Sequence, residues 1–338
     1  MISIGNLQIN KLCLGDVEVS KAYLGDVEVY SSAPEPKYMT ITVDSSNTGS
    51  TVISPKVRGS LPNLNLQYRI NNGNWNDFIV GTTADISVRK GYVVEFKGNN
   101  PDGLSVDYSN RLEFSISKPV HLSGNIMSLI DGVGATLEIP NNYCFYYLFE
   151  YSKIKTVSPD FLPATTLKNG CYGYMFYGCS SLTQAPELPV TTLKNGCYSS
   201  MFSGCTSLTQ APELPATTLA PYCYSYMFDG CTALTTAPAL PATKLAESCY
   251  ESMFDECKSL TKAPELPAPV LVKDCYYNIF SKCSSLSYVK SFAISIGANG
   301  ATNNWLYQVN RYGKLLGRTT YENNSVDGVP IGWTFEYF

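Results

Sequence analysis

Pairs of cysteines recur every 26 residues through the middle of this chain, and this repeat constrains the fold more than any other feature. The first cysteine of each pair stands at positions 171, 197, 223, 249 and 275, and the second at 179, 205, 231, 257 and 283. One such unit cannot bury its apolar face alone, whereas stacked units can, so the period predicts a solenoid. A weaker unit around Cys144 and a decaying unit after Val272 have the character of capping repeats.

The apolar pattern inside one repeat predicts its local structure. Five residues fall on one arc of a helical wheel, about 140° wide at roughly 100° per residue. They are Cys171, Tyr172, Met175, Phe176 and Cys179. The pattern predicts an amphipathic helix of two to three turns. The prolines of the following Ala-Pro-Glu-Leu-Pro segment exclude a helix and favour extended backbone. Each coil is therefore expected to contain a helix, a short strand and an extended return.

The repeat also resembles a known family. The run Met-Phe-x-x-Cys-x-x-Leu-Thr-x-Ala-Pro-x-Leu-Pro-Ala-Thr-x-Leu, from Met201 to Leu219, is similar to the BspA-like leucine-rich repeats of surface proteins of gut and oral bacteria and of their phages. The similarity covers about residues 120–296. It implies surface display and adhesion to a host surface protein or glycan, and it does not imply an enzyme.

A shorter repeat, with a period of ten residues, opens the chain. Gly-Asn and Gly-Asp turn pairs separate segments that alternate as strands do. The apolar positions of the last two units are Leu14, Val17, Val19, Leu24, Val27 and Val29. A β-meander of about thirty residues is too small to hold a core alone, so we expect it to pair with another chain. It resembles the N-terminal segments of phage tail and fibre proteins, which implies anchoring to other virion proteins and a homo-oligomer.

These patterns divide the chain into five regions of a multi-domain fold, β-structure plus an α/β solenoid. Residues 1–30 are the β-repeat anchor and 31–37 a linker. Residues 38–118 alternate as short strands and are expected to form an antiparallel, Ig-like β-sandwich. Residues 119–296 are expected to form the leucine-rich-repeat solenoid, including its capping repeats. Residues 297–338 are expected to form a small β-rich C-terminal cap.

Charge and hydropathy argue against two classes of partner. The net charge is −4 and no stretch concentrates Lys and Arg, which argues against nucleic-acid binding. No apolar run reaches the ~18–20 residues of a bilayer span, so no membrane insertion is expected. The segment from Met1 to Leu7 has neither a basic region nor an apolar core, unlike a secretory signal. A phage protein leaves the cell through virion assembly and lysis. A surface-type protein of a phage would therefore not need a secretory signal.

The titratable residues do not form a recognisable catalytic or metal motif. The cysteines are spaced Cys-x7-Cys, wider than zinc pairs, and about 12 Å apart on a helix. We interpret them as small buried hydrophobes, with disulfides between coils or a metal as alternatives. A serine at Cys231 is then expected to lack a hydrogen-bond partner. His121 has no evident orienting partner, and no cofactor is expected.

The best candidates for ligand contact are polar and aromatic residues that vary between coils. They are Tyr174, Tyr177, Tyr226, Asp229, Glu251 and Asp255. The alternative for each is ordinary solvated surface. The tyrosines at 172, 198, 224, 250 and 276 lie inside the apolar arc, so core packing is preferred to sugar stacking for them.

Together these features predict a phage virion structural protein, a tail or head fibre or appendage located on the virion, with an adhesion module. The alternative is a bacterial BspA-like adhesin at the cell surface. A glycan-active enzyme is a third possibility, and the lack of an acid/base constellation argues against it.

Overall fold

A computed structural model describes residues 37–61, 63–295, 299–319 and 328–338 in full. Of residues 1–36, it describes the backbone pairing of six short strands. The chain divides into two units, Met1–Lys37 and Tyr38–Phe338. The described part is mostly β-structure, in several sheets, with almost no helix. This agrees with the expected β-rich, multi-domain character of the chain.

The first unit contains three antiparallel hairpins, one for each ten-residue repeat. In the first hairpin Ile4 lies opposite Leu7, and in the second Leu14 lies opposite Val17. In the third, Leu24 lies opposite Val27. The strands are β1 (Ile2–Ile4), β2 (Leu7–Ile9), β3 (Cys13–Leu14), β4 (Val17–Glu18), β5 (Lys21–Leu24) and β6 (Val27–Ser31).

The second unit begins with two sheets. Their strands are β7 (Met39–Val43), β8 (Thr51–Arg58), β9 (Gln67–Ile70), β10 (Asn76–Asp77), β11 (Ile86–Val88), β12 (Val93–Lys97), β13 (Arg111–Ile116), β14 (Val120–Ser123) and β15 (Ile154–Val157). One sheet has the order β10-β9-β12-β7-β14-β15, and the other the order β11-β8-β13. All pairs are antiparallel except β14 with β15. Strand alternation places one face of each strand inward: Met39, Ile41 and Val43 of β7 are buried, whereas Thr40 and Thr42 are half-buried.

Seven coils follow in the described residues, and each begins with a chain of turns that we call a turn ribbon. The ribbons of coils 1 to 7 are residues 143–152, 170–179, 196–205, 222–231, 248–257, 274–283 and 300–309. Every fourth residue has a left-handed backbone conformation; in coil 2 these are Gly170, Tyr174 and Gly178, with φ of 60°, 56° and 68°. The predicted helix is therefore wrong, because regular left-handed residues interrupt any α-helix. The predicted buried face is right.

Backbone hydrogen bonds explain why the ribbons are stable. In coil 2 the N–H groups of Tyr172, Tyr174 and Phe176 donate to carbonyls of coil 3, at 2.8–3.0 Å. The intervening N–H groups, such as that of Met175, donate to the carbonyl three residues earlier and close the turns. Alternate amides thus bind the next coil and the same coil, so the stacked ribbons satisfy the backbone groups that a lone coil would leave unpaired.

Outside the turn ribbon, the backbone of each coil is extended. The parallel strands near the C-terminus are β16 (Lys262–Leu266), β17 (Tyr288–Ser291), β18 (Gly313–Gly317) and β19 (Trp333–Tyr337). In the earlier coils isolated parallel bridges take their place, between Thr156 and Gln184 and between Gln210 and Thr236. The helical elements of the described residues are a short α-helix, α1 (Ser128–Asp131), and a 3-10 turn, Pro159–Phe161.

One apolar core runs from the two sheets through the coils. Phe114 of β13 lies 5.6 Å from Phe149 of coil 1, which stacks at 5.6 Å on Phe176 of coil 2. The equivalent phenylalanines stack onward to Phe280 at 5.7–5.8 Å. A parallel column of buried tyrosines stacks from Tyr172 to Tyr276. Core packing of these tyrosines, preferred on the sequence, is confirmed.

The coil pattern continues past residue 296, where the sequence predicts a cap. The N–H groups of Tyr276 and Phe280 in coil 6 donate to the carbonyls of Ala301 and Trp305 in coil 7. Strand β18 then pairs in parallel with β17. At the other end, β14 and β15 lie beyond residue 118 yet belong to the six-stranded sheet. The sheet and the coils are therefore continuous across the expected boundary.

Candidate functional site: a tyrosine groove on the turn ribbons

The left-handed residues of the ribbons form columns along the stack, in which Tyr143, Tyr222 and Tyr226 are exposed whereas Ser200, Ser248 and Ser252 are buried. The residue before each first cysteine forms one column: Tyr143, Gly170, Gly196, Tyr222 and Ser248. The residue four positions later forms a second: Tyr147, Tyr174, Ser200, Tyr226 and Ser252. In both columns small residues of coil 3 are followed by tyrosines of coil 4. Tyrosines precede them in coils 1 and 2 of the second column, but only in coil 1 of the first, where coil 2 has Gly170. A groove results wherever small side chains lie between large ones.

This tyrosine groove has a volume of about 480 Å³. Its aromatic lining consists of Tyr143, Tyr146, Tyr174, Tyr222 and Tyr226. Its polar lining consists of Asn169, Asn195, Ser199, Ser225 and Glu251, and glycines 170 and 196 complete the floor. These residues come from coils 1 to 5 and the segments just before them, so only stacking of the repeats assembles the groove.

The wall formed by coils 1 and 2 is a packed cluster of tyrosines. A Cβ atom on Gly170 would lie 2.4 Å from the Tyr143 ring, so only glycine allows this ring to rest on the ribbon. Tyr174 stacks on Tyr147 with ring centroids 4.4 Å apart and contacts the edge of Tyr146 at 5.4 Å. The mutual packing of four rings fixes this wall in place.

The opposite wall is formed by Tyr222 and Tyr226, whose side chains are 44% and 37% exposed. The Tyr226 hydroxyl donates to Oε1 of Glu251 at 2.9 Å, which orients the ring. Burial, and then the hydrogen bond to Glu251, raise the pKa of Tyr226 to about 12. This hydroxyl is therefore protonated at neutral pH, and Glu251 is the one charged side chain of the groove lining.

The structure brings three of the six predicted contact residues into the groove: Tyr174, Tyr226 and Glu251. Tyr177 lies beside it, 5.7 Å from the ring of Tyr174. Asp229 and Asp255 line a separate acidic patch. Sequence reasoning missed Tyr143, Tyr146 and Tyr222, although the alternation of glycine and tyrosine just before the first cysteines was a usable signal.

The acidic patch carries a partly buried carboxyl group. Burial, and then the neighbouring Asp255, raise the pKa of Asp229 to about 6. The Ser203 hydroxyl donates to Oδ2 of Asp229 at 3.2 Å. Nζ of Lys282 lies 3.9 Å from Asp255 and 2.8 Å from Glu256, so one cation serves several carboxylates.

His121 has partners that the sequence did not suggest. Its Nδ1 lies 2.7 Å from the Thr156 hydroxyl, and its Nε2 lies 3.1 Å from Oδ2 of Asp44. Lys155 and Ser46 also bind Asp44, which keeps the pKa of that carboxyl far below its usual range. The expectation that His121 lacks an orienting partner is therefore wrong. Its bonds join β14 to β15 and to the turn after β7, which indicates a structural role.

The eleven described cysteines have free, buried thiols. In the second ladder each thiol donates to the carbonyl of a phenylalanine one coil earlier, as Cys231 does to Phe202 at 3.2 Å. In coil 1 Ser152 takes this position and its hydroxyl donates to the carbonyl of Phe114. Burial raises the pKa of these thiols, so they stay protonated. Within the described ranges no group of three or more His, Cys, Asp or Glu residues could hold a metal ion.

The predicted anchor residues lie in the hairpins of the first unit. Leu14 belongs to β3, Val17 to β4, Leu24 to β5, and Val27 and Val29 to β6. Val19 lies outside the described residues.

No family model, curated protein or solved structure matches this chain significantly. Among the residues that the structure describes, no helix is long and apolar enough to cross a membrane.

Proposed function

We propose that this chain is a non-enzymatic structural protein of a phage virion, a tail or head fibre or appendage, that attaches the particle to a host surface. The tyrosine groove carries the proposal. Exposed tyrosines with a few placed polar groups are typical of recognition sites, because they bury apolar area with little loss of side-chain entropy. The ligand would be a host surface protein or glycan.

The chemistry of the groove supports binding rather than catalysis. Its lining offers one carboxylate, Glu251, and neither histidine nor cysteine. Acid–base catalysis generally needs a donor and an acceptor placed on either side of a reacting bond. The pKa of Tyr226 is raised to about 12, so its hydroxyl stays protonated at neutral pH and acts as a hydrogen-bond donor.

In this proposal the stacked coils are a leucine-rich-repeat solenoid of the BspA-like kind, and the two sheets before them are an Ig-like sandwich. The 26-residue spacing and the leucines buried at equivalent positions, such as Leu208 and Leu234, support the first assignment. The antiparallel pairing within β7–β13 supports the second.

The first thirty residues would anchor the chain to other virion proteins, and a homo-oligomer is expected. Isolated two-stranded hairpins are marginally stable in water, and their edges present unpaired N–H and C=O groups. Pairing with another chain, or with copies of the same chain around a symmetry axis, would satisfy these groups.

Deletion of residues 1–30 tests the anchor. We expect the truncated chain to remain folded and soluble, by circular dichroism and gel filtration, and to be absent from purified particles. Normal incorporation of the truncated chain would contradict the virion role and favour the alternative, a bacterial BspA-like adhesin at the cell surface.

Binding of the purified full-length chain to intact host cells tests the adhesive role separately. We expect saturable binding that excess unlabelled chain displaces. Failure to bind any bacterial surface would contradict adhesion, whatever the result of the deletion.

A further inference from the structure

We propose that the tyrosine groove binds an uncharged pyranose of a surface glycan and rejects acidic sugars. This inference rests on the adhesive function proposed above and specifies its ligand class. Three properties of the groove lead to it: the spacing of its walls, the chemistry of its floor and the sign of its charge.

The spacing of the walls suits one saturated ring. Tyr174 and Tyr226 occupy the same column, two coils apart; Ser200 between them is buried, and the residues of coil 3 that line the groove are Gly196 and Ser199. Successive rings of the buried tyrosine column are 5.9 and 6.0 Å apart, which places positions two coils apart roughly 12 Å from each other. Contact separations of about 3.5–4 Å at each wall leave roughly 4–5 Å for ligand atoms. This is the width of one six-membered ring, and the length of the groove admits further units of a chain.

The walls and floor offer the two kinds of contact that a sugar needs. Sugar C–H groups carry a small positive charge and pack against the negative face of an aromatic ring. Tyr222 and Tyr226 have no stacked aromatic partner among the described residues, so their faces are available. On the floor, Ser199 and Ser225 share a 2.9 Å hydrogen bond; Ser225 is buried and also donates to the carbonyl of Tyr222, so the half-buried Ser199 is the hydroxyl that can bond a ligand. Asn195 is exposed beside them and offers both a donor and an acceptor.

The charge of the groove selects against acidic ligands. Glu251 is the charged group of the lining, and its carboxylate accepts hydrogen bonds from hydroxyl groups. Beside Tyr222, Glu247 accepts a bond from Lys273 at 2.6 Å, so that cation is already paired. A sialic or uronic acid whose carboxylate lay near Glu251 would meet no cation of the lining, since the exposed Lys194 stands next to Asn195 but outside the lining. A protein ligand would more often need a wide, flat interface than a slot one ring wide.

A plugging variant tests the inference directly. Tyr143 and Tyr222 occupy the same column as Gly196 with φ of 61° and 56°, so the backbone at Gly196, with φ of 58°, already suits a tyrosine. A Cβ there meets no atom closer than 3.9 Å. Gly196→Tyr should therefore fold, at the modest cost of a left-handed residue that Tyr143 and Tyr222 also bear, and fill the groove. Tyr226→Ala removes a wall instead, and Tyr312→Ala, at an exposed tyrosine outside the lining, is the matched control.

The full-length chain and these variants are titrated on immobilised glucosyl, galactosyl, mannosyl and N-acetylglucosaminyl oligosaccharides, and on sialylated and glucuronylated ones. We expect binding to at least one neutral glycan, weakened about tenfold or more by Gly196→Tyr and by Tyr226→Ala and unchanged by Tyr312→Ala. Glu251→Gln should weaken it severalfold.

Three results would overturn the inference: exclusive binding of acidic glycans, no binding to any neutral glycan, or full affinity in Gly196→Tyr. If the full chain still binds host cells in those cases, the adhesive function stands and only its ligand class is wrong. Cell binding that survives periodate oxidation of the glycans but not protease treatment would point to a protein receptor.

Discussion

The two sides of the coil stack hold successive coils together by different means. On the ribbon side, every second backbone N–H donates to the next coil. On the side formed by the Ala-Pro-x-Leu-Pro segments, which we call the proline side, the prolines have no N–H to donate. There an isolated bridge joins Gln210 to Thr236. Grooves of about 350 and 480 Å³ open on either side of Ala239, which stands where the neighbouring coils carry glutamates.

This difference indicates where the stability of the stack resides. The ribbon side combines inter-coil hydrogen bonds with stacked rings, so its residues are coupled to both neighbouring coils. In coils 3 and 4 the proline side depends on side-chain packing, such as that of Leu214 and Leu240, which are each 3% exposed, whereas in coil 5 the proline segment is strand β16 and pairs with β17. A defect on the ribbon side should therefore propagate along the stack more than a defect on the proline side.

The largest expected effect comes from a gap in the phenylalanine column. Phe228 stacks on Phe202 at 5.8 Å and on Phe254 at 5.7 Å. Phe228→Ala should lower the free energy of unfolding by about 3–5 kcal/mol, since both neighbours lose a partner. Leu240→Ala, in the same coil on the proline side, should lower it by about 2–3 kcal/mol. Urea unfolding followed by circular dichroism measures both variants. Equal losses, or a greater loss for Leu240→Ala, would contradict the proposed asymmetry.

A backbone defect on the ribbon side should have the next largest effect. Gly204 has φ of 74°, and a Cβ there would lie 3.3 Å from Cα of Gly178 in the preceding coil. Gly204→Ala should destabilise the fold by about 1–3 kcal/mol, because it adds this close contact to the unfavourable conformation. Gly230→Ala is the control, since its φ is 69° and its nearest contact is 3.7 Å. The midpoint of thermal unfolding should be lower for Gly204→Ala than for the control. The reverse order would show that the distance between coils does not restrict side chains at this position of the ribbon.

The sequence predicted which residues of a repeat are buried but not the structure that buries them. Cys171, Tyr172, Met175, Phe176 and Cys179 recur in pairs four residues apart. At 100° per residue they span about 140°, and at 90° only about 90°, so a period of four fits better than a helix. The glycines at 170, 173 and 178 were a second signal, because glycine inside a helix is unfavourable. Stacking with the next coil, which no local pattern records, makes the ribbon possible.

The strands of the two sheets were also partly predictable, because some of them have a local sequence pattern and others depend on their neighbours in the sheet. β7, β9, β11 and β12 alternate clearly between apolar and polar residues, which a sequence can reveal. β8 is harder to predict, because Pro55 lies within it. In the structure β11 pairs with β8 only over residues 51–53, so at Pro55 the missing N–H faces no neighbouring strand on that side. The groove was half predictable, since variation between coils pointed to Tyr174, Tyr226 and Glu251, whereas the tyrosines of coil 1 lie outside the regular repeats.

The cysteine ladders allow a finer comparison within the ribbon side. Second-ladder Cys231 donates to the carbonyl of Phe202, and Ser152 makes the equivalent bond in coil 1. A serine at position 231 would therefore have a partner, contrary to the expectation from sequence. Cys231→Ser should cost about 0.5–1.5 kcal/mol. Cys223→Ser should cost about 1–3 kcal/mol, because the buried first-ladder thiol lies against the backbone of Ala220 and Tyr224 in its own coil and, among the described residues, donates to no phenylalanine carbonyl of the preceding coil. Urea unfolding of the two variants measures the free energy of unfolding that each loses. Equal losses would show that the hydrogen bond of the Cys231 thiol contributes nothing to stability.

The smallest expected effect is a pH dependence at the acidic patch, where the ribbon side carries its least favourable charges. The pKa of Asp229 is raised from its ordinary value of 3.8 to about 6, chiefly by burial and then by Asp255. The folded chain therefore binds this proton more tightly than the unfolded chain does. Stability should rise as pH falls from 7 through 6 toward 4, and this contribution should not grow below the unfolded pKa.

Asp229→Asn tests this pH dependence. It should stabilise the protein at pH 7 by about 1 kcal/mol, after allowance for solvent screening, and should remove most of the gain between pH 7 and pH 5. Lys282 holds the pKa of Glu256 below its usual value. The stabilisation from this ion pair is therefore lost only in more acidic solution, and it does not mask the pH dependence that comes from Asp229. Asp102→Asn, at an exposed carboxylate outside the stack, controls for the loss of one negative charge. Thermal unfolding of the three proteins at pH 5, 6 and 7 gives the comparison. An unchanged pH profile in Asp229→Asn would mean that the groups around Asp229 already compensate its charge, and that the acidic patch does not oppose the stacking of coils 4 and 5.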